Sequence, residues 1–82
     1  MLVVQDFPIE DIRVPVKRVK TLDPEKVQAL AEDILENGQQ VPIRVRADKK
    51  GYILIEGYHR LEALRALGEE IVQGYLVKAR LH

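Results

Sequence analysis

The chain alternates short β-prone runs with two stretches of helical periodicity. Leu2 to Phe7 is rich in β-formers and ends at Pro8, which predicts a strand. An irregular stretch is expected next, through Ile12-Arg13-Val14-Pro15 and the basic Lys17-Arg18-Val19-Lys20. At Asp23 the pattern changes. Asp23 can cap a first turn, Pro24 fits the first helical position, and Glu25 suits the positive end of the helix dipole. Val27, Leu30, Ala31, Ile34 and Leu35 then recur at helical spacing and predict one apolar face, with Gly38 ending the helix in a left-handed conformation.

After Pro42 the alternation Ile43-Arg44-Val45-Arg46-Ala47 predicts a strand with one buried face. Asp48-Lys49-Lys50-Gly51 offers a turn into Tyr52-Ile53-Leu54-Ile55, an apolar run expected to be a more fully buried central strand. Glu56-Gly57 breaks that run. Leu61, Leu64 and Leu67 mark a second helix that stops at Gly68, and Ile71 to Val77 closes the chain as a last strand. On the second helix, Tyr58, Ala63 and Ala66 are expected to make smaller or edge contacts, and Glu62, Arg65 and Glu69 to be solvated. The order predicts an α+β fold, a small mixed sheet with two principal helices packed against it. No repeat or Gly/Ser linker interrupts the chain, so residues 1–82 read as one domain.

Composition narrows the function. With 82 residues, 46% of them hydrophobic and 32% charged, the chain suits one modest core and a folded state. Its 13 basic residues equal its 13 acidic ones, so no overall positive field holds duplex DNA. A DNA or protein partner would have to use local clusters such as Arg13, Lys17, Arg18 and Lys20, or Arg44 and Arg46. The absence of cysteine removes disulfides, thiolate metal sites and thiol nucleophiles. A cytoplasmic setting is the simpler expectation, because the opening Met1-Leu2-Val3-Val4 is too short for a signal peptide or a membrane span.

The most informative stretch is Ile55-Glu56-Gly57-Tyr58-His59-Arg60, where a strand turns through a glycine directly into a helix. Unpaired backbone N–H groups and the dipole of a first helical turn attract an anion, and Gly57 would let a phosphate approach the backbone. His59 and Arg60 are cations at the positive end of a dipole, a placement that an anionic ligand would reward. Lys26, near the start of the first helix, would join them if both helices begin on one side of the sheet. The loop Gly38-Gln39-Gln40-Val41-Pro42 can present backbone groups to a nucleobase, with Pro42 keeping Val41 extended. Each feature also has a structural explanation: Gly57 makes a corner, Gly38 stops a helix, Pro42 starts a strand, and lone cations are usually solvated.

Together these pieces resemble the ParB/sulfiredoxin superfamily along nearly the whole chain. The resemblance rests on Ile12-Arg13-Val14-Pro15, the helix opening Leu22-Asp23-Pro24-Glu25-Lys26-Val27-Gln28-Ala29-Leu30, the loop from Gly38 to Pro42-Ile43, and Gly57-Tyr58-His59-Arg60 followed by Leu61-Glu62-Ala63. Sulfiredoxins place a cysteine nucleophile at the position of Tyr58 and use ATP to repair over-oxidised peroxiredoxin. A phenol with an ordinary pKa near 10 cannot replace a thiolate, so that repair is not expected here. The resemblance implies phosphate contacts from Lys26, Gly57, Tyr58, His59 and Arg60. Ala29 and Asp33 stand where sulfiredoxins carry hydroxyl side chains. In ParB proteins the corner binds CTP phosphates beside a Gly-x-x-x-Pro loop, which Gly38 to Pro42 matches. ParB chains continue into DNA-reading and dimerisation domains for which 82 residues leave no room.

Three functions follow as expectations. The first is a nucleotide-binding module for ATP or CTP. The second is a small Mg²⁺-dependent nucleotidase or phosphotransferase, in which Glu56 holds Mg²⁺ or orients water, His59 moves a proton, and Arg60 and Lys26 stabilise phosphoryl charge. The third is a protein- or DNA-interaction domain.

Overall fold

The computed structural model describes residues 2–39 and 41–78, so Gln40 of the expected loop lies outside the described residues. Strands β1 (Val4–Pro8), β2 (Ile12–Arg13), β3 (Ile43–Asp48), β4 (Gly51–Glu56) and β5 (Ile71–Leu76) form one mixed sheet in the order β1-β5-β3-β4-β2. β1 with β5 and β3 with β4 pair antiparallel, whereas β3 with β5 and β2 with β4 run parallel. Helices α1 (Val16–Val19), α2 (Pro24–Asn37) and α3 (Tyr58–Ala66) complete the α+β fold.

β1 and β2 occupy opposite edges, yet only the 3-10 turn Ile9–Asp11 separates them in the chain. The four Cα steps from Pro8 to Ile12 reach at most about 14 Å. The edge strands of a flat five-stranded sheet lie about 19 Å apart. The sheet therefore has to curl, and the Phe7 ring on β1 meets Tyr52 on β4 edge-on, with centroids 4.9 Å apart. The N–H of Ile9 donates to the Glu70 carbonyl at 2.9 Å and pins the turn beside the entrance to β5.

The core fills the concave face. Phe7, Ile12, Ile43, Val45, Leu54 and Val72 line it from the strands, and Ile34 of α2 with Tyr58, Leu61, Ala63 and Leu64 of α3 cover it. Two neighbours of Ile43 are glycines. A Cβ on Gly57 would lie 2.6 Å from Ile43 Cγ2, and one on Gly74 would lie 3.0 Å from Ile43 Cγ1. Side chains at those positions would force Ile43 or the backbone to move.

α2 begins and ends as its sequence predicts. The Asp23 carboxylate accepts from the Glu25 N–H at 3.0 Å, and Gly38, at φ 76°, donates its N–H to the Ile34 carbonyl at 2.7 Å. Leu35 departs from the expected apolar face and is 76% exposed, because it stands about 100° round the helix from the buried Ile34. The stretch from Ile12 to Lys20 is less irregular than expected, since it holds β2 and the single turn of α1. Both are too short to show a period. In β4 only Leu54 is buried, because strand alternation turns Ile53 and Ile55 to the face opposite Leu54 and the core cluster. Tyr58 and Ala63 are core residues instead of edge contacts, whereas Ala66 is exposed and Leu67 packs half-buried against the core. Among the described residues no helix is long and apolar enough to cross a membrane.

Leu61 is fully buried and Leu35 is not, so truncating them separates core packing from apolar character. Leu61→Ala is expected to cost about 3 kcal/mol, lowering Tm by roughly 10–20 °C. Leu35→Ala should stay within about 0.5 kcal/mol of the parent. Paired thermal melts check both.

Candidate functional site

Gly57 turns the chain from β4 into α3 at φ 103° and ψ 33°, a left-handed conformation that L side chains rarely adopt. No side chain caps α3. The first bond of the helix runs from the Leu61 N–H to the Gly57 carbonyl at 2.9 Å, so the N–H groups of Tyr58, His59 and Arg60 precede the ladder. Gly57 is required here by its φ and by the closeness of Ile43, reasons that lie in the core.

The start of α2 lies against the same corner. The Asp23 N–H donates to His59 Nε2 at 3.0 Å, so the imidazole accepts through Nε2 and keeps its proton on Nδ1. This bond ties the two helix beginnings together and sets two positive dipole ends side by side. The end of α2 is partly satisfied by the Asp23 carboxylate, whereas that of α3 has no carboxylate cap.

Between the helices runs an open groove of about 480 Å³. α2 contributes Lys26, Ala29, Leu30 and Asp33, and the corner contributes Gly57, Tyr58, His59 and Arg60. Arg60 Nε is buried there without a hydrogen-bond partner. Lys26 is exposed and has no ion-pair partner among the described residues. Tyr58, only 8% exposed, belongs to the core, and its ring lies tilted against His59 at 5.8 Å. All five residues expected to meet phosphates therefore line one groove. The groove offers two cationic side chains and unpaired N–H groups to an anion.

The other expected residues stand elsewhere. Glu56 is exposed and pairs with Arg44 at 3.4 Å, outside the groove lining. No group of three or more metal-ligating side chains occurs among the described residues. Gly38 and Gln39 border a different hollow with Asp6 and Gln73. The Gln39 amide donates to the Gln73 carbonyl at 2.8 Å and the Val41 carbonyl at 3.0 Å, and accepts from the Gln73 N–H at 2.8 Å. Its side chain thus holds the loop to β5. Val41 is exposed and Pro42 half-buried before β3.

The sequence reading gave Leu30 no place in the site and Asp33 none beyond its departure from the sulfiredoxin pattern. They follow Lys26 by four and seven residues, on the stripe that faces α3, and that spacing was the available signal. It also missed Arg18, outside the groove, whose Nη2 donates to the Ile55 carbonyl at 2.6 Å and fastens α1 beside the open edge of β4. No periodicity announces that contact.

The family model of the ParB N-terminal domain matches residues 2–81. The chain belongs to that family. A chloroplastic/mitochondrial sulfiredoxin of Arabidopsis thaliana is 40% identical over 63 residues, which are 77% of this chain and 50% of the relative. The chain thus spans half the length of that curated relative. The crystal structure of sulfiredoxin from Arabidopsis thaliana superposes with a TM-score of 0.83 at 34% identity, covering 94% of this chain and 86% of the other. The C-terminally truncated chromosome-partitioning protein ParB from Caulobacter crescentus, complexed with CTP-gamma-S, gives a TM-score of 0.78 at 24% identity, over 98% of this chain and 46% of the other. The first likeness joins this ParB N-terminal domain to the sulfiredoxins, and the second shows a shared fold.

Two of the four positive-φ glycines, Gly57 and Gly38, differ in their surroundings. Gly57→Ala meets both a left-handed backbone and Ile43, and is expected to destabilise by about 2–4 kcal/mol. Gly38→Ala has nothing within 4 Å of the added carbon and should cost about 1–3 kcal/mol for its backbone alone, at φ 76° and ψ 174°. Denaturant midpoints of the two variants measure the difference.

Proposed function

We propose that this ParB N-terminal domain binds the phosphates of a nucleotide, ATP or CTP, in the groove between α2 and the Gly57 corner. The observation that carries this reading is the convergence of Lys26 and Arg60 on one groove beside the uncapped start of α3. An anion at a helix N-terminus engages the unpaired N–H groups and pairs with both cations. Arg60 supplies directional donors and Lys26 a mobile point charge. His59 keeps Nδ1–H as a donor while Nε2 stays bonded to the Asp23 N–H. The ParB structure complexed with CTP-gamma-S supports the reading by its shared fold.

The reading stops at binding. The chain has no cysteine, and Tyr58, which replaces it at the corner, is packed in the core. Glu56 pairs with Arg44 outside the groove lining, and no step is assigned to a metal. The nucleobase role expected of the loop from Gly38 to Pro42 gains no support, since Gly38 and Gln39 border a different hollow and the Gln39 amide is engaged by Gln73.

Isothermal titration with ATP and CTP tests the proposal. Arg60→Ala is expected to weaken binding by about tenfold or more, the range for hydrogen bonds to charged groups. Affinity should survive chelation of Mg²⁺. Undiminished binding by Arg60→Ala would remove the groove from consideration.

A further inference from the structure

One side chain of the groove does not suit a phosphate. Asp33 stands seven residues along α2 from Lys26, a rise of about 10 Å, and both line the same groove. Asn37 Nδ2 donates to Asp33 Oδ1 at 2.9 Å, which steadies the carboxylate and leaves Oδ2 without a protein partner among the described residues. Between Lys26 and Asp33 the helix shows the groove only Ala29 and Leu30. The groove is therefore bipolar. One end gathers cations and unpaired N–H groups, and the other presents an ionised group that can only accept hydrogen bonds.

A polyphosphate stretched along α2 would set anion against anion at Asp33. A ligand whose phosphates stay at the corner, and whose far end carries neutral hydroxyl or amino donors, would satisfy both ends. We propose that Asp33 is a specificity-determining residue that orients a phosphorylated ligand by accepting hydrogen bonds from donors remote from the phosphates. The inference rests on the phosphate-binding reading of the same groove. A ribose diol and the exocyclic amine of a base both supply such donors, and both are favourable partners for a carboxylate. An added 3′-phosphate would face Asp33 and be repelled.

The test titrates inorganic tripolyphosphate, ATP, 2′,3′-dideoxy-ATP, ITP and 3′-phosphorylated ATP into the parent protein, Asp33→Ala and Arg60→Ala. The parent should prefer ATP about tenfold over whichever analogue lacks the donor that Asp33 reads. A preference for ATP over the dideoxy compound identifies the diol, and over ITP the amine. Asp33→Ala should erase the preference, bind tripolyphosphate at least as tightly as the parent, and tolerate the 3′-phosphate. A preference that persists in Asp33→Ala, or that the parent lacks, overturns the role of Asp33. In that case weaker binding by Arg60→Ala still upholds the phosphate site. Absence of binding by every compound, and by CTP, overturns both.

Discussion

The side chain of Ile43 is wedged between the Cα atoms of Gly57 and Gly74, and the rest of the architecture depends on that close approach. Ile43 is 1% exposed at the start of β3, the middle strand of the sheet. On one side, β5 runs parallel to it with Gly74 opposite, where a Cβ would also crowd Phe7 of β1 at 3.2 Å. On the other side, the left-handed turn at Gly57 lets α3 begin directly against β3. Interiors pack densely, so an extra methyl at either glycine would be felt across both edges of the curl. The wedge fixes where α3 begins, and with it where the uncapped N–H groups of Tyr58, His59 and Arg60 stand.

A second tie converts that position into a site. Two adjacent helix starts carry partial positive charge and would tend to separate. The bond from the Asp23 N–H to His59 Nε2 holds them together. The Asp23 carboxylate relieves α2, but α3 has no such relief within the chain. His59 consequently has two separable jobs. Nε2 joins the helices, and Nδ1 remains for whatever enters the groove.

Much of this was legible in the sequence, for identifiable reasons. Asp23-Pro24-Glu25 and Gly38 bracket α2 through capping chemistry that acts within four residues, and Ile43-Arg44-Val45 shows its buried face through strict alternation. Placing Lys26 and Arg60 in one groove needed only that both helices begin on the same side. The failures are non-local. Leu35 has the right spacing but sits at the margin of the stripe, and α2 does not turn far enough to bury it. Ile53 and Ile55 read as interior, but they alternate onto the sheet face opposite the core cluster. Gln39 reads as a polar loop residue because nothing in its neighbours reveals Gln73, which is 34 positions away. Gly57 was legible as special, although its contact with Ile43 was not.

The separation of packing from surface chemistry at the corner lets the proposed phosphate site stand without a cysteine. At the position of the cysteine, Tyr58 turns into the core and strengthens it with a large apolar surface. His59 and Arg60, the next two residues, contribute little to the core and leave charge and unpaired donors in the groove. An uncapped helix start and a cation at its positive end each weaken the folded state when no anion is present. Their concentration within four residues, beside a helix tie that holds them together, is the pattern expected where local stability is exchanged for affinity. An anion that binds only the folded chain returns that stability by mass action, so ligand affinity and fold stability at this corner are one linked quantity.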